Sequence, residues 1–364
     1  HCRRRHIAPA RQIWNAPLPE KLDLVSLLPG GKLWESPAAW EESAPAPAAC
    51  LGLIDDPANQ RQTPLLHDFW QNGHLLLYGM PLSGKTTFLQ TLLVSLCCRY
   101  SPAQAQLYLA EFGAFGLRAL EHFPHVGGAA GDDEPDRMKR ILALFSEELD
   151  RRKQLFRKAG VGSISALAEA GDETPPSWIL AVDNLNQAAS KLPEFLETLE
   201  RIAQEGESFG LYVAAAVTGA SSPGYRLAAN FKTVLTLQLT DRTDYSQFVG
   251  RVQANIPKPV LGRGLVRGPL EFQTAIAFAD FTDGKRAAAL RQLAEEMDAA
   301  WKGPRPKSVR ALPQDIPYGS LEGEPLLLGL SCGEIVPVSL PLAETTSLLV
   351  SAGDAGSLDA FYAL

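Results

Sequence analysis

The stretch Leu75–Leu93, LLLYGMPLSGKTTFLQTLL, constrains the fold more than any other part of the sequence. An apolar run ends at Gly79, and a loop leads to Gly84–Thr86, where a helical pattern begins. This G-x-x-x-x-G-K-[ST] motif between a strand and a helix is typical of a phosphate-binding loop. Its glycines let successive backbone N–H groups face the phosphates, and the helix N-terminus adds its dipole. The sequence therefore predicts a nucleotide site here.

The position of each residue in this motif predicts its contact with the nucleotide. We expect Lys85 to reach the β and γ phosphates of ATP and the Thr86 hydroxyl to ligate Mg²⁺. The residues expected to surround the phosphates are Gly79, Met80, Pro81, Leu82, Ser83, Gly84, Lys85, Thr86 and Thr87. A strand-turn-helix unit that binds nothing is the weaker interpretation, because the motif stands in the context that it requires.

A second stretch, SWILAVDNLNQ, places an acidic residue at the end of an apolar strand. We expect Asp183 to hold the metal ion. P-loop motors usually continue with a glutamate that deprotonates the attacking water, but the next residue here is Asn184. Because an amide cannot accept that proton, we predict nucleotide binding with slow hydrolysis. The alternative is that another carboxylate, such as Glu111 at the end of the preceding strand, accepts it.

Other polar residues are weaker candidates for the site. Thr218 ends the run GLYVAAAVT, where P-loop motors often place a sensor of the γ phosphate, although strand-end turn chemistry explains it nearly as well. Arg251 and Arg263 could reach the site of a neighbouring subunit, although a surface arginine is the default expectation. His122 and His125 are too few and too irregularly flanked to predict a metal site, so we expect structural roles for them.

The alternation of patterns along the chain predicts an α/β fold. Apolar runs (HLLLYG, QLYLAEF, SWILAVDN, GLYVAAAVT and KTVLTLQL) alternate with amphipathic helical segments such as residues 136–160 and 191–206. Continuous apolar strands indicate a mostly parallel sheet with helices on both faces. We expect this domain to span residues 51–303 and to end with a helix over residues 284–303.

The regions beside this domain have a different composition. Residues 1–50 are rich in proline, alanine and tryptophan, and we expect a linker or extension from a preceding module that packs on a neighbouring domain. Residues 304–318 are punctuated by proline and are predicted to be a second linker.

The sequence of residues 319–364 resembles a second copy of the stretch Leu75–Leu93. Placing Leu348–Val350 over Leu75–Leu77 puts Leu358 where Lys85 stands. This alignment predicts the start of a second, degenerate module that could not bind phosphate. A chance similarity of two strand-turn-helix units is the alternative.

Charge and composition argue against several classes of protein. The chain has 364 residues, 46% of them apolar, and a net charge of −7. No basic stripe follows the initial HCRRRH, so we do not expect nucleic-acid binding. No apolar run reaches the roughly 20 residues that cross a bilayer, and the cysteine spacing suits a reducing, cytosolic setting. We expect a soluble piece of a longer protein, whose membrane anchor would lie elsewhere.

The order of five segments resembles the FtsK/SpoIIIE family of hexameric translocases. These segments are LLLYGMPLSGKTT, YLAEFGAFGLRALEHFPHVGG, EELDRRKQLFRKAGVGSI, WILAVDN and LGRGLVR. Within that family, IWNAPLPEKL and GLIDDPANQRQTPL look like the EssC/EccC ATPases of type VII protein secretion. The resemblance implies a RecA-like P-loop NTPase fold, here a middle ATPase module followed by part of the last one.

The resemblance also implies cofactors, partners and a location. It implies ATP and Mg²⁺, neighbouring ATPase modules of the same chain, a homo-hexamer, export of small WXG100-type proteins, and the cytoplasmic face of the bacterial membrane. Later modules of the family are often degenerate, which Asn184 fits, whereas Glu111 replaces the family's usual aspartate. The alternatives are a DNA translocase, against which the net charge weighs, and a non-hydrolysing, nucleotide-locked scaffold that binds partner helices.

Overall fold

The computed structural model divides the chain into two units, residues 1–308 and 309–364. It describes residues 15–40, 46–113, 116–219, 224–251, 259–309, 316–317, 327–331 and 336–339. In the second unit, β11 (Leu327–Leu330) and β12 (Pro337–Ser339) form an antiparallel pair. The segment that carries the predicted repeat of the phosphate loop lies outside the described residues, so the repeat stays a prediction.

A ten-stranded sheet organises the described part of the first unit. Its strands are β1 (Ala48–Asp56), β2 (Arg61–Asp68), β3 (Leu75–Tyr78), β4 (Ala105–Glu111), β5 (Val126–Gly131), β6 (Ser177–Asp183), β7 (Leu211–Val217), β8 (Thr233–Thr236), β9 (Arg263–Val266) and β10 (Leu270–Thr274). They lie in the order β2-β1-β10-β9-β8-β3-β7-β6-β4-β5. The strands from β8 to β5 in this order are parallel, and the remaining pairs are antiparallel. The predicted mostly parallel sheet is thus confirmed.

Helices cover both faces of the parallel part. They are α1 (Phe69–Asn72), α2 (Lys85–Arg99), α3 (Pro135–Ala159), α4 (Ile164–Glu169), α5 (Leu185–Lys191), α6 (Pro193–Glu205), α7 (Tyr225–Ala228), α8 (Arg242–Val249) and α9 (Asp283–Ala300). Helix α2 packs on the face that carries Leu75 and Leu77. On the other face, Phe145 of α3 contacts the rings of Tyr108 and Trp178. None of the helices in the described ranges combines the length and the apolar character that crossing a bilayer requires.

Several strands have no counterpart in the sequence-based prediction. The sequence of β5, VGGAAG, contains a single β-branched residue, Val126, and otherwise only glycine and alanine, yet five of its six residues are buried. A Cβ at Gly127 would lie 2.5 Å from Cε1 of Tyr108, so only glycine fits there. The pairs β1-β2 and β9-β10 were also not predicted, and they extend the sheet by antiparallel pairing.

Residues 15–40 form a strap across the first unit. The N–H of Leu24 donates to the carbonyl of Ile276, and the N–H of Ile276 donates to the carbonyl of Leu22. The strap ends at Trp40, whose indole N–H donates to the Cys97 carbonyl at 2.9 Å. Its ring meets that of Trp301, just after α9, at 5.4 Å between centroids. The described part of residues 1–50 therefore packs on the first unit, while the predicted domain boundaries stay predictions.

Candidate nucleotide-binding site

The predicted phosphate loop joins β3 to α2 and is fixed at its start. The N–H of Gly79 donates to the Val217 carbonyl at 3.1 Å, and the N–H of Met80 donates to the Gln238 carbonyl at 2.7 Å. A Cβ at Gly79 would lie 2.4 Å from Oγ of Ser83, so any other residue would push the loop open. Gly84 has a φ of 102°, which favours glycine. Both motif glycines are therefore required by this backbone.

The tip of the loop combines strain with a buried polar atom. Leu82 has a φ of 62°, which is costly for a residue with a Cβ, and its side chain is 93% exposed. Ser83 is buried, and among the described residues its hydroxyl has no hydrogen-bond partner. Such features are common at ligand sites, where the surrounding structure holds a conformation that the isolated loop would not prefer.

Lys85 folds back across the loop. Its Nζ donates to the carbonyls of Gly79 at 3.1 Å and Met80 at 3.0 Å, and the side chain is buried. Burial lowers the pKa of this ammonium group, and the nearby Asp183 carboxylate partly opposes that effect. The ammonium therefore lies inside the loop, where it can exchange carbonyl partners for phosphate oxygens.

Thr86 and Asp183 form the oxygen pair expected of a metal site. The Thr86 hydroxyl donates to Oδ2 of Asp183 at 2.5 Å, and Oδ1 accepts the N–H of Asn184 at 3.0 Å. Burial raises the pKa of Asp183, while the bond from Thr86 lowers it. Mg²⁺ prefers a hydroxyl and a carboxylate as ligands beside phosphate oxygens. The residues therefore fit a magnesium nucleotide.

Asn184 has a structural reason to be an asparagine. Its backbone is left-handed, with φ 56° and ψ 46°, a conformation that asparagine tolerates better than most residues. Its Nδ2 donates to the Phe112 carbonyl at 3.1 Å. The amide thus joins the loop after β6 to the loop after β4. A glutamate could not make that bond, because a carboxylate has no N–H to donate.

Glu111 lies beside Asp183 on the neighbouring strand. The two residues are Cα partners in the parallel pair β4-β6, so their side chains are on the same face of the sheet. Oε2 of Glu111 accepts the N–H of Leu117 at 2.8 Å, and Oε1 forms an ion pair with Nε of Arg118 at 3.5 Å. Burial raises the pKa of Glu111 to about 7, against the opposing effect of the Leu117 N–H.

A cleft of about 500 Å³ opens over the loop. Its lining residues are Pro81, Leu82, Gly84, Lys85, Thr86, Thr87, Asn184, Asn186, Gln187, Thr218 and Leu261. Thr218 is therefore close to the phosphate loop, and its N–H donates to Oδ1 of Asn186 at 3.2 Å. Asn186 and Gln187 were not predicted, although DNLNQ placed both within a helical turn of Asp183. For Leu261 the sequence carried no signal.

The two arginine candidates have different environments. Arg263 is 3% exposed, and its Nε donates to Oε1 of Gln273 at 2.7 Å. Its Nη2 donates to the carbonyls of Leu18 at 3.0 Å and Pro19 at 2.9 Å. The prediction that Arg263 reaches a neighbouring subunit is therefore wrong, because its guanidinium is buried among groups of its own chain. Arg251 is exposed and stays a candidate.

The two histidines lie away from the cleft lining. His125 is fully buried, and its Nε2 lies 2.6 Å from the Tyr100 carbonyl. Burial lowers the pKa of His125 to about 4, so the ring is neutral at physiological pH. His122 is exposed. Among the residues whose placement is described, no group of His, Cys, Asp and Glu side chains could hold a metal ion by itself.

The chain is similar in sequence to proteins of two secretion systems. The chain is 27% identical to the type VII secretion system protein EssC of Staphylococcus aureus (strain MSSA476), over 93% of this chain and 23% of that protein. It is 30% identical to the ESX secretion system protein EccC of Thermomonospora curvata, over 93% of this chain and 27% of that protein. The chain thus spans about a quarter of the length of these curated relatives.

A solved structure extends the comparison to the fold. It is described as Thermomonospora curvata EccC (ATPases 2 and 3) in complex with a signal sequence peptide, and it is 28% identical with a TM-score of 0.74. The alignment covers 90% of this chain and 62% of that one. The sequence model of the FtsK/SpoIIIE family matches residues 46–263. Since this match takes in more than half of the residues and the whole phosphate loop, the chain belongs to the FtsK/SpoIIIE family.

Proposed function

We propose that the chain is an ATP-binding module of a type VII secretion translocase and that it binds Mg-ATP in the cleft over residues 79–87. The observation that carries this proposal is the convergence of Lys85, Thr86 and Asp183 at one end of the parallel strands. An ammonium group and a hydroxyl-carboxylate pair are what a triphosphate and its metal ion need.

Each side chain in the cleft has a proposed role. Lys85 exchanges its two loop carbonyls for the β and γ phosphates, and the open N–H groups at the start of α2 add the helix dipole. Thr86 and Asp183 hold Mg²⁺, which neutralises phosphate charge when bound. Thr218, fixed by Asn186, stands where it can sense the γ phosphate.

Hydrolysis is proposed to be slow. The amide of Asn184 is engaged with the Phe112 carbonyl and cannot accept a proton. Glu111 is the competing candidate for the base, because its carboxylate neighbours Asp183 on the same face of the sheet.

The partners follow from the relatives. Related proteins carry several ATPases in one chain, and one solved relative binds a signal sequence peptide. We propose neighbouring ATPase modules on either side of the domain, which we place at residues 51–303, with a linker at 304–318 and a second module from 319. In a homo-hexamer at the cytoplasmic face of the membrane, nucleotide would assemble the translocase or drive export of WXG100-type proteins. Arg251 is the candidate to contact the next subunit.

Binding and turnover measured on the same samples test the proposal. We expect Mg-ATP to bind the parent chain and Lys85→Ala to weaken binding at least about 100-fold, because the phosphates lose their cation. Lys158→Ala, at an exposed lysine of α3, is the matched control and should change binding less than about twofold. Turnover should stay well below the typical enzyme rate of about 10 s⁻¹. Equal affinities of the parent chain and Lys85→Ala would refute the site.

A further inference from the structure

A large apolar side chain stands exposed at the mouth of the cleft. Leu261 is 59% exposed and lines the cleft together with Thr87 and the phosphate loop. A Cβ placed on Gly84 would lie only 3.7 Å from Cδ1 of Leu261, so this leucine stands directly over the beginning of α2. Leaving such a side chain in water has a cost in free energy that burial against a ligand would recover.

The strand order shows which part of a nucleotide this leucine would meet. On one side of β3 lie β7 and then β6, which carries Asp183 at its end. On the other side lie β8 and then β9, and Leu261 comes two residues before β9 begins. The γ phosphate points towards the metal-binding carboxylate. The ribose and base must then leave the loop on the opposite side, where Leu261 is.

Hydrogen bonds with the phosphate loop and with two glutamines fix the backbone around this leucine. The N–H of Gly262 donates to the Ser83 carbonyl of the phosphate loop at 3.0 Å. Nε2 of Gln273 donates to the Leu261 carbonyl at 2.9 Å, and Nε2 of Gln238 donates to the Val260 carbonyl at 3.2 Å. The segment is thus preorganised against the phosphate loop, which reduces the entropy that binding would cost.

We infer that Leu261 forms the wall of the cleft that packs against the base and ribose of the bound nucleotide. This inference rests on the proposed nucleotide binding and adds the residue that recognises the part of the ligand beyond the phosphates. A leucine side chain has no hydrogen-bond donor or acceptor, so the contact that we infer is an apolar one with the face of the base.

Two ligands that differ only beyond the phosphates provide the test. Binding of Mg-ATP and of inorganic tripolyphosphate with Mg²⁺ is measured for the parent chain, Leu261→Ala, Leu261→Met and Leu82→Ala. We expect Leu261→Ala to weaken ATP binding about tenfold, because most of the buried apolar surface is lost, and to leave tripolyphosphate binding within about twofold. Leu261→Met should retain most of the ATP affinity, because its side chain has a similar volume.

The control residue is another exposed leucine of the same cleft. Leu82 is 93% exposed at the tip of the phosphate loop, and Leu82→Ala should affect both ligands equally. An equal loss of both ligands in Leu261→Ala would overturn the inference, because the residue would then act through the loop. No loss of ATP affinity in Leu261→Ala would overturn it as well. If the parent chain bound neither ligand, the proposed function itself would fail.

Discussion

The two sides of the phosphate loop differ in how their polar groups are used. On the β6 side, Asp183 and Glu111 are buried carboxylates with raised pKa values, although Glu111 also forms an ion pair with Arg118. On the β9 side, the polar groups of Arg263 and Gln273 bond to each other and to backbone carbonyls. On the β6 side Glu111 can change its protonation near neutral pH, whereas on the β9 side the bonds of Gln273 fix the backbone around Leu261.

This difference assigns proton exchange to the β6 side of the loop and backbone positioning to the β9 side. Because burial raises the pKa of Glu111 to about 7, this carboxyl group is able to exchange protons near neutral pH. A guanidinium with its donors already occupied stabilises the fold and holds Leu261 beside the loop. Substitutions on the β6 side should therefore change turnover, and substitutions on the β9 side should change stability or affinity.

The largest effect should come from Glu111→Gln. If this carboxylate accepts the proton of the attacking water, the residual turnover should fall about 100-fold or more, because general bases contribute that much. Nucleotide affinity should change less than about threefold, since Lys85 and Thr86 are untouched. Steady-state phosphate release and equilibrium binding measure the two quantities. Glu121→Gln, at a half-buried glutamate paired with Arg137, is the control. Unchanged turnover would show that hydrolysis proceeds without Glu111.

Arg263→Met tests whether the β9 side of the phosphate loop stabilises the fold. Removing the guanidinium leaves the carbonyls of Leu18 and Pro19 and the amide of Gln273 without this partner. We expect the free energy of unfolding in urea to fall by about 3–5 kcal/mol, the usual cost of breaking a buried ionic group's network. Arg267→Met removes an exposed arginine nearby and should cost less than about 0.5 kcal/mol. Equal losses of unfolding free energy in Arg263→Met and Arg267→Met would show that the buried guanidinium does not stabilise the β9 side of the phosphate loop.

The pH dependence of stability should show the raised pKa of Glu111. Its pKa rises from 4.5 in the unfolded chain to about 7 in the folded protein. Between these values the folded protein binds more protons, so the contribution of Glu111 to stability falls as pH rises through this window. The difference corresponds to roughly 3 kcal/mol. Unfolding of Glu111→Gln should lack this slope and should leave the variant more stable than the parent at pH 8. Parallel profiles would contradict the assignment.

The smallest effect should come from Asn184. Asn184→Ala loses the bond to the Phe112 carbonyl. It also leaves an alanine in a left-handed backbone conformation, which asparagine tolerates better. We expect the free energy of unfolding to fall by about 1–2 kcal/mol. Asn184→Gly keeps the backbone conformation and loses only the bond, so its loss should be smaller. Urea unfolding of both variants measures the difference, and a larger loss for Asn184→Gly would rule out strain as a cause.

Local patterns were sufficient to predict the centre of the fold. The phosphate loop and the apolar run before Asp183 are continuous in sequence, and a continuous run contains its own strand or helix signal. The relation of Glu111 to Asp183 was not accessible in this way, because it depends on β4 lying next to β6. The role of Glu111 as an alternative base could be suggested, but its pairing and burial required the strand order.

Long-range contacts account for most of what the sequence did not predict. Arg263 bonds to Leu18, which is 245 residues away along the chain, and no local pattern reports such a partner. The same holds for Leu261, whose place over the phosphate loop depends on the bond between Gly262 and Ser83. Asn184 was interpreted only by what its amide cannot do in catalysis. Its left-handed backbone is a second reason why an asparagine occupies this position, and the sequence alone does not reveal that conformation.

Because the strap of residues 15–40 packs on the first unit, a shortened chain without it would lose buried contacts. A chain that began at residue 51 would lack the carbonyls of Leu18 and Pro19, so the buried guanidinium of Arg263 would lose two acceptors. It would also lack Trp40, which fills the space between Cys97 and Trp301. A piece that keeps these contacts therefore begins at about Ala16, and we expect limited proteolysis of the folded chain to spare residues 15–40.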